Sequence, residues 1–154
     1  MNNQELEKAK ALLKFCNKNG EIASIEKIKK SEYDENIFII NNDEYLILTD
    51  EEANEKASEK IREELWAFNS DFIINNSEKL TNAENYEALS KAISKMQEKL
   101  CEDANDLVFA LIDDFDEFVD NAINADGRGH FLSGYDGEEN EQETENNLFY
   151  IYKQ

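Results

Sequence analysis

The sequence predicts an α+β fold of about four helices packed on a small, three-stranded antiparallel sheet. Three observations carry that reading. Ile37-Phe38-Ile39-Ile40 and Tyr45-Leu46-Ile47-Leu48 flank the turn-forming Asn41-Asn42-Asp43, a hairpin pattern over 37–48. Leu148-Phe149-Tyr150-Ile151-Tyr152 is a third strand-forming run and is best placed beside that hairpin. Most of the remaining chain repeats apolar residues at three- and four-residue steps, the helical period.

Taken in order, residues 3–17 read as an amphipathic helix with Leu6, Ala9, Leu12, Leu13 and Cys16 on one side and Asn19-Gly20 as its stop. Ile22, Ile25 and Ile28 keep helical spacing among Lys27, Lys29 and Lys30, which fits a second short helix or a covering loop. Thr49-Asp50-Glu51-Glu52 predicts a capping box, in which the Thr49 hydroxyl accepts from a first-turn amide and Glu52 reaches back. The helix it opens buries Ala53, Ala57, Ile61, Leu65 and Phe68, while Lys56, Lys60 and Arg62 alternate with Glu55, Glu59 and Glu63 on its wet side. Asp71-Phe72-Ile73-Ile74 reads as a short apolar turn or strand before the polar linker 75–82. Tyr86, Leu89, Ile93, Met96 and Leu100 mark the next helix.

The last helix is expected as one piece over about 102–124, roughly 34 Å long at 1.5 Å per residue. Leu107, Leu111, Phe115, Phe118, Val119 and Ala122 form its expected buried stripe, with Asp106, Asp113, Asp116, Glu117 and Asp120 back to back with it. Four of the five glycines follow, at 127, 129, 134 and 137, and the run 138–147 reads as a mobile acidic loop. At 154 residues the chain reads as a single domain over 1–154, with 1–30 as a variable helical part.

Charge is distributed unevenly. From Leu100 to Tyr152 there are fifteen acids and one base, Arg128, which accounts for −14 of the net −20. An apolar fraction of 40% distinguishes the chain from a disordered acidic tail. Such a protein is repelled by phosphate backbones and anionic lipid, so neither nucleic acid nor membrane is its expected direct partner. A basic protein is, and self-association stays open. There is neither a twenty-residue apolar run nor a leader pattern, so a cytoplasmic setting is expected. Cys16 and Cys101 stand far apart without metal-ligand spacing, which favours thiols in a reducing compartment.

Two constellations are candidates for function. The first is the Gly-rich stretch with Asp126, Arg128, His130 and Asp136. A metal would use Asp126, His130, Asp136 and Glu138, but their spacing matches no calcium or zinc motif. An acid–base site would set His130 against Asp126 or Asp136, yet no serine or cysteine nucleophile pairs with them. A structural role is the plainer reading: Arg128 clamps Asp126, Asp136 or an acid of the preceding helix, and His130 with Phe131 packs the loop down. No cofactor is implied. The second constellation is the acidic face of Asp106, Asp113, Asp116, Glu117 and Asp120, helped by Glu138, Glu139 and Glu141. Carboxylates three or four residues apart on a helix repeat at about 5–6 Å, comparable with phosphates along a nucleic-acid strand.

Glu44-Tyr45-Leu46-Ile47-Leu48-Thr49-Asp50-Glu51-Glu52-Ala53 with Leu65-Trp66-Ala67-Phe68-Asn69 resembles one half of a pattern. The other half is Asp126-Gly127-Arg128-Gly129-His130-Phe131-Leu132-Ser133-Gly134-Tyr135-Asp136-Gly137-Glu138-Glu139 with Tyr150-Ile151-Tyr152. Together, over roughly 32–154, they resemble a family of small acidic bacteriophage and prophage proteins. The resemblance carries over no catalytic residue. It implies a mobile-element setting, where acidic proteins often inhibit restriction or CRISPR machinery by occupying nucleic-acid sites. The expectation is therefore a non-enzymatic nucleic-acid mimic that binds a basic, nucleic-acid-binding host protein and acts as an anti-CRISPR or anti-restriction inhibitor. The competing expectations are a small metal-dependent or acid–base enzyme centred on Asp126, His130 and Asp136, and a phage accessory protein whose acidity serves solubility alone.

Overall fold

A computed structural model describes residues 1–20 and 24–154; Ile22 of the isoleucine series lies outside the described residues. The fold is α+β. The chain forms two compact units, residues 1–56 with 127–154, and residues 57–126.

The first unit is built on an antiparallel sheet of five strands: β1 (Lys29–Lys30), β2 (Ile37–Ile40), β3 (Asp43–Leu48), β4 (Asn140–Glu143) and β5 (Leu148–Lys153), in the order β1-β2-β3-β5-β4. The predicted hairpin is β2–β3, and its turn is tighter than expected. Ile40 pairs with Asp43, leaving Asn41 and Asn42 as a two-residue loop. Both have positive φ (52° and 72°), the conformation a two-residue hairpin needs and one that asparagine tolerates better than most residues. β5 lies beside β3 as predicted, with Leu46 opposite Tyr152, Ile47 opposite Ile151 and Leu48 opposite Tyr150. All six side chains are buried. Both faces of the central strands are therefore covered, which explains why these strands read as continuous apolar runs.

The expected three strands become five because two edge strands carry no strand-like signal. β1 is two lysines. β4 is Asn-Glu-Gln-Glu and falls within the run expected to be a mobile loop, yet it pairs along its length with β5 from Glu143–Leu148 to Asn140–Ile151. Gln142 is buried there. Charged edge strands resist pairing with other chains, so their hydrophilicity suits their place in the sheet.

Helix α1 (Asn3–Lys18) closes one side of the sheet. Asn2 and Glu5 form a reciprocal capping box: the Glu5 amide donates to Asn2 Oδ1 at 2.9 Å and the Asn2 amide to Glu5 Oε2 at 2.7 Å. Its Ala9, Leu12 and Cys16 join Phe38, Ile40, Tyr45, Ile47, Phe149 and Ile151 in one core. The isoleucine segment after it is a 3-10 turn at Ile25–Lys27 leading into β1.

Helix α2 (Asp50–Glu64) starts at the predicted box, with the Thr49 amide 2.8 Å from Glu52 Oε2 and the Glu52 amide 3.3 Å from Thr49 Oγ1. Lys8, 2% exposed, adds its ammonium to the same carboxylate at 2.7 Å and to Asn36 Oδ1 at 2.7 Å. Burial pushes the Glu52 carboxyl up, but the bonds from Lys8 and Thr49 outweigh it and leave the pKa below the ordinary 4.5. A depressed folded-state pKa stabilises the fold above the unfolded-state pKa, and that contribution is lost as pH falls through the folded-state value. The wild type should therefore melt above Glu52→Gln by its widest margin near neutral pH. Thermal melts below pH about 4.5 should show the margin closing; a margin independent of pH would contradict this account.

The second unit is helical: the C-terminal part of α2, a 3-10 turn at Leu65–Ala67, α3 (Ser70–Asn75), α4 (Glu78–Thr81), α5 (Tyr86–Leu100), a 3-10 turn at Cys101–Ala104, α6 (Asn105–Leu111) and α7 (Phe115–Asp126). Asp71–Ile74, expected as turn or strand, belongs to α3, whose start is capped by Asn69 Oδ1 accepting from the Asp71 amide at 2.8 Å. Helix α5 spans the predicted apolar series from Tyr86 to Leu100, but of that series only Ile93 is buried and Tyr86 is exposed, while Gln97, outside the series, is buried. Phe68, Phe72 and Phe118 form the aromatic centre, with ring centroids 5.2–5.6 Å apart.

The expected single helix over 102–124 is two helices. Ile112 adopts an extended conformation (φ −84°, ψ 129°), and Asp113-Asp114 follow it. Asp114 Oδ1 accepts from the Glu117 amide at 3.0 Å, so Asp114 caps α7 instead of continuing α6. Asp-x-x-Glu at 114–117 is itself a capping-box pattern, a break signal that the unbroken apolar periodicity obscured.

Candidate acidic interface

The break sorts the predicted acids into two groups. Asp113 is structural: its Oδ2 accepts from the Lys79 amide at 2.8 Å, its Oδ1 lies 2.5 Å from Lys79 Nζ, and Ser77 Oγ stands 3.0 Å away. Lys79 holds the Asp113 carboxyl below the usual aspartate range. The same Ser77 hydroxyl lies 2.6 Å from the Leu111 carbonyl at the end of α6. Asp113 thus ties the break to α4, a structural part beyond the place on a contact surface expected of it.

Asp116, Glu117 and Asp120 are exposed along α7, opposite the buried Phe118, Val119 and Ala122. Among the described residues none of the three is in an ion pair. Asp106 is also exposed but pairs with Arg62 at 2.7 Å. From Glu102 to Asp126 nine acids occur without a base. Lysines do accompany the acids of α5, where Lys91 pairs with Glu87 at 2.6 Å.

Glu138, Glu139 and Glu141 belong to the first unit, and their environments differ. Glu138 and Glu141 are exposed. Glu139 instead belongs to a clamp around Arg128 that begins in α8 (Arg128–Leu132). Arg128 Nε donates to Glu139 Oε2 at 2.8 Å and Nη2 to Glu139 Oε1 at 3.1 Å, a two-pronged pair. Nη1 reaches Asp50 Oδ1 at 2.7 Å and Asn54 Oδ1 at 2.9 Å on the first turns of α2. The guanidinium sits over the Tyr150 ring at 4.3 Å, and the Tyr152 hydroxyl donates to Glu139 Oε2 at 2.5 Å. Burial alone would lower the Arg128 pKa, but Glu139 and Asp50 hold it above its ordinary value. Burial, followed by Glu139, raises that of the Tyr152 phenol.

A carboxylate clamp on Arg128 was legible in the sequence, but its partners are Glu139 and Asp50, not the expected Asp126, Asp136 or an acid of the preceding helix. Asp136 accepts from the Ser133 hydroxyl at 2.9 Å and the Glu138 amide at 3.0 Å and so organises its own turn. His130 is exposed, edge-on to Phe131 at 4.9 Å. Among the described residues His130 has no carboxylate partner, and no group of three or more His, Cys, Asp or Glu is placed to hold a metal. The supposed Gly-rich loop is therefore a short helix and a tied turn. Also among the described residues, no helix is long and apolar enough to cross a membrane. No family model, curated protein or solved structure matches the chain.

Proposed function

We propose that this chain is a non-enzymatic, phage-type inhibitor whose acidic surface occupies the nucleic-acid site of a basic host protein, such as a CRISPR effector or a restriction nuclease. The observation that supports it is α7 itself. Asp116, Glu117 and Asp120 are exposed at helical spacing on a helix anchored by Phe118, and among the described residues none of them is in an ion pair. Acids kept for solubility alone need neither a packed support nor local separation from lysines, and over residues 1–99 of this chain acids and lysines are interspersed. The mobile-element setting rests on the resemblance of the 44–69 and 126–152 motifs to small acidic phage proteins. The contact surface is Asp106, Asp116, Glu117 and Asp120, while Asp113 and Glu139 serve the fold.

The reading is tested by pull-down of a basic protein from host lysate at about 50 mM and about 500 mM salt, since exposed charges are strongly screened at the higher value. The triple variant Asp116→Lys, Glu117→Lys and Asp120→Lys should lose the captured protein while melting close to the wild type. Capture that survives the triple reversal would remove α7 from the interface.

A further inference from the structure

Helix α6 carries five consecutive apolar residues, Leu107 to Leu111, of which only Val108 is fully buried. Leu107 is 48% exposed, Phe109 39% exposed, and Ala110 lies in solvent. A helix apolar on all sides belongs in a core or at an interface, and a contiguous exposed apolar patch marks an interaction site more often than isolated exposed residues do. The patch is fixed in place. Arg62 covers the Phe109 ring at 4.1 Å while pairing with Asp106, and Phe109 meets Phe115 edge-on at 5.3 Å. Phe115 is the first residue of α7, immediately before Asp116 and Glu117, so the apolar patch adjoins the acidic face.

We propose that the outer face of α6 is the apolar anchor of the acidic interface. Its occupant is a basic protein element that presents an apolar or aromatic side chain among lysines or arginines. This rests on the acidic-interface reading above and adds what that surface recognises besides charge. Charge complementarity selects the occupant: in sequence Asp103 and Asp106 precede the apolar run and Asp114 follows it, and a second copy would bring the same acids together. Interfaces of this kind are steered by the charged rim and held by a buried apolar centre.

The test uses the full chain and two synthetic peptides of equal length and equal positive charge. One is an amphipathic helix with leucine and phenylalanine at four-residue spacing; the other carries glutamine at those positions. Fluorescence anisotropy should show the apolar peptide binding about tenfold tighter. That preference should vanish in Leu107→Gln/Ala110→Gln, whose melting should match the wild type because both positions face water. The Asp116, Glu117 and Asp120 reversal should weaken both peptides alike. Equal binding of the two peptides by the wild type, or a preference that survives Leu107→Gln/Ala110→Gln, would overturn the anchor and leave the acidic interface standing. Binding of neither peptide would overturn both. A concentration-dependent dimer in sedimentation, lost in Leu107→Gln/Ala110→Gln, would replace the basic occupant with a second copy.

Discussion

Gly129→Ala should lower the unfolding free energy by about 3 kcal/mol, at the upper end of what overpacking costs. Gly129 is buried in α8, and a Cβ there would stand 2.2 Å from the Gly137 carbonyl oxygen, 2.8 Å from the Glu138 carbonyl carbon and 2.9 Å from the Glu139 amide nitrogen. All three are backbone atoms, so no side chain can rotate away. Relief requires moving 137–139, which pulls Glu139 from Arg128 and from Tyr152. Gly134→Ala is the matched control, because its Cβ would meet Gln154 at an ordinary 3.5 Å. Urea unfolding followed by circular dichroism separates the two. Equal midpoints for Gly129→Ala and wild type would contradict the close approach of these two segments.

Phe118→Ala should cost about 3–5 kcal/mol. Its ring is fully buried, 5.2 Å from both Phe68 and Phe72 and stacked at 6.4 Å on Phe115. Truncation leaves a cavity where three elements of the second unit meet. Because Phe118 seats α7, the same change should also weaken capture of a basic partner, although no charge is altered. Stability and binding therefore separate the roles of two neighbours: Phe118→Ala should lose both, while reversing Asp116, Glu117 and Asp120 should lose binding alone. Thermal unfolding with pull-down on the same preparations reads both, and a loss below about 1 kcal/mol for Phe118→Ala would show that the aromatic cluster does not organise this unit.

Local signals in the chain were strong where one rule decides the outcome. The Asn-Asn turn, the Thr49–Glu52 box and the apolar face of α1 each follow from a few adjacent residues. The edge strands β1 and β4 were not legible, because an edge strand is held by its neighbour and its own side chains are chosen to stay wet. The break at Ile112–Asp114 was masked by an apolar period that continues across it, although Asp-x-x-Glu stood in plain sequence. The Arg128 clamp was foreseen in kind but not in partner: Asp50 lies 78 residues away, and no local spacing encodes that pairing. At the acidic face, composition located the charge, whereas the separation of structural Asp113 from exposed Asp116, Glu117 and Asp120 required the packing of α4 against the break.

If Asp116, Glu117 and Asp120 on α7 stand in for a nucleic-acid backbone, the chain and nucleic acid must compete for one site on the partner. A displacement experiment decides this. The basic protein captured by the wild-type chain is challenged with increasing amounts of its own DNA or RNA ligand, and the bound fraction is followed at fixed salt. Mimicry predicts mutually exclusive binding, with nucleic acid releasing the partner at concentrations near its own affinity for that partner. A ternary complex of chain, partner and nucleic acid would contradict it.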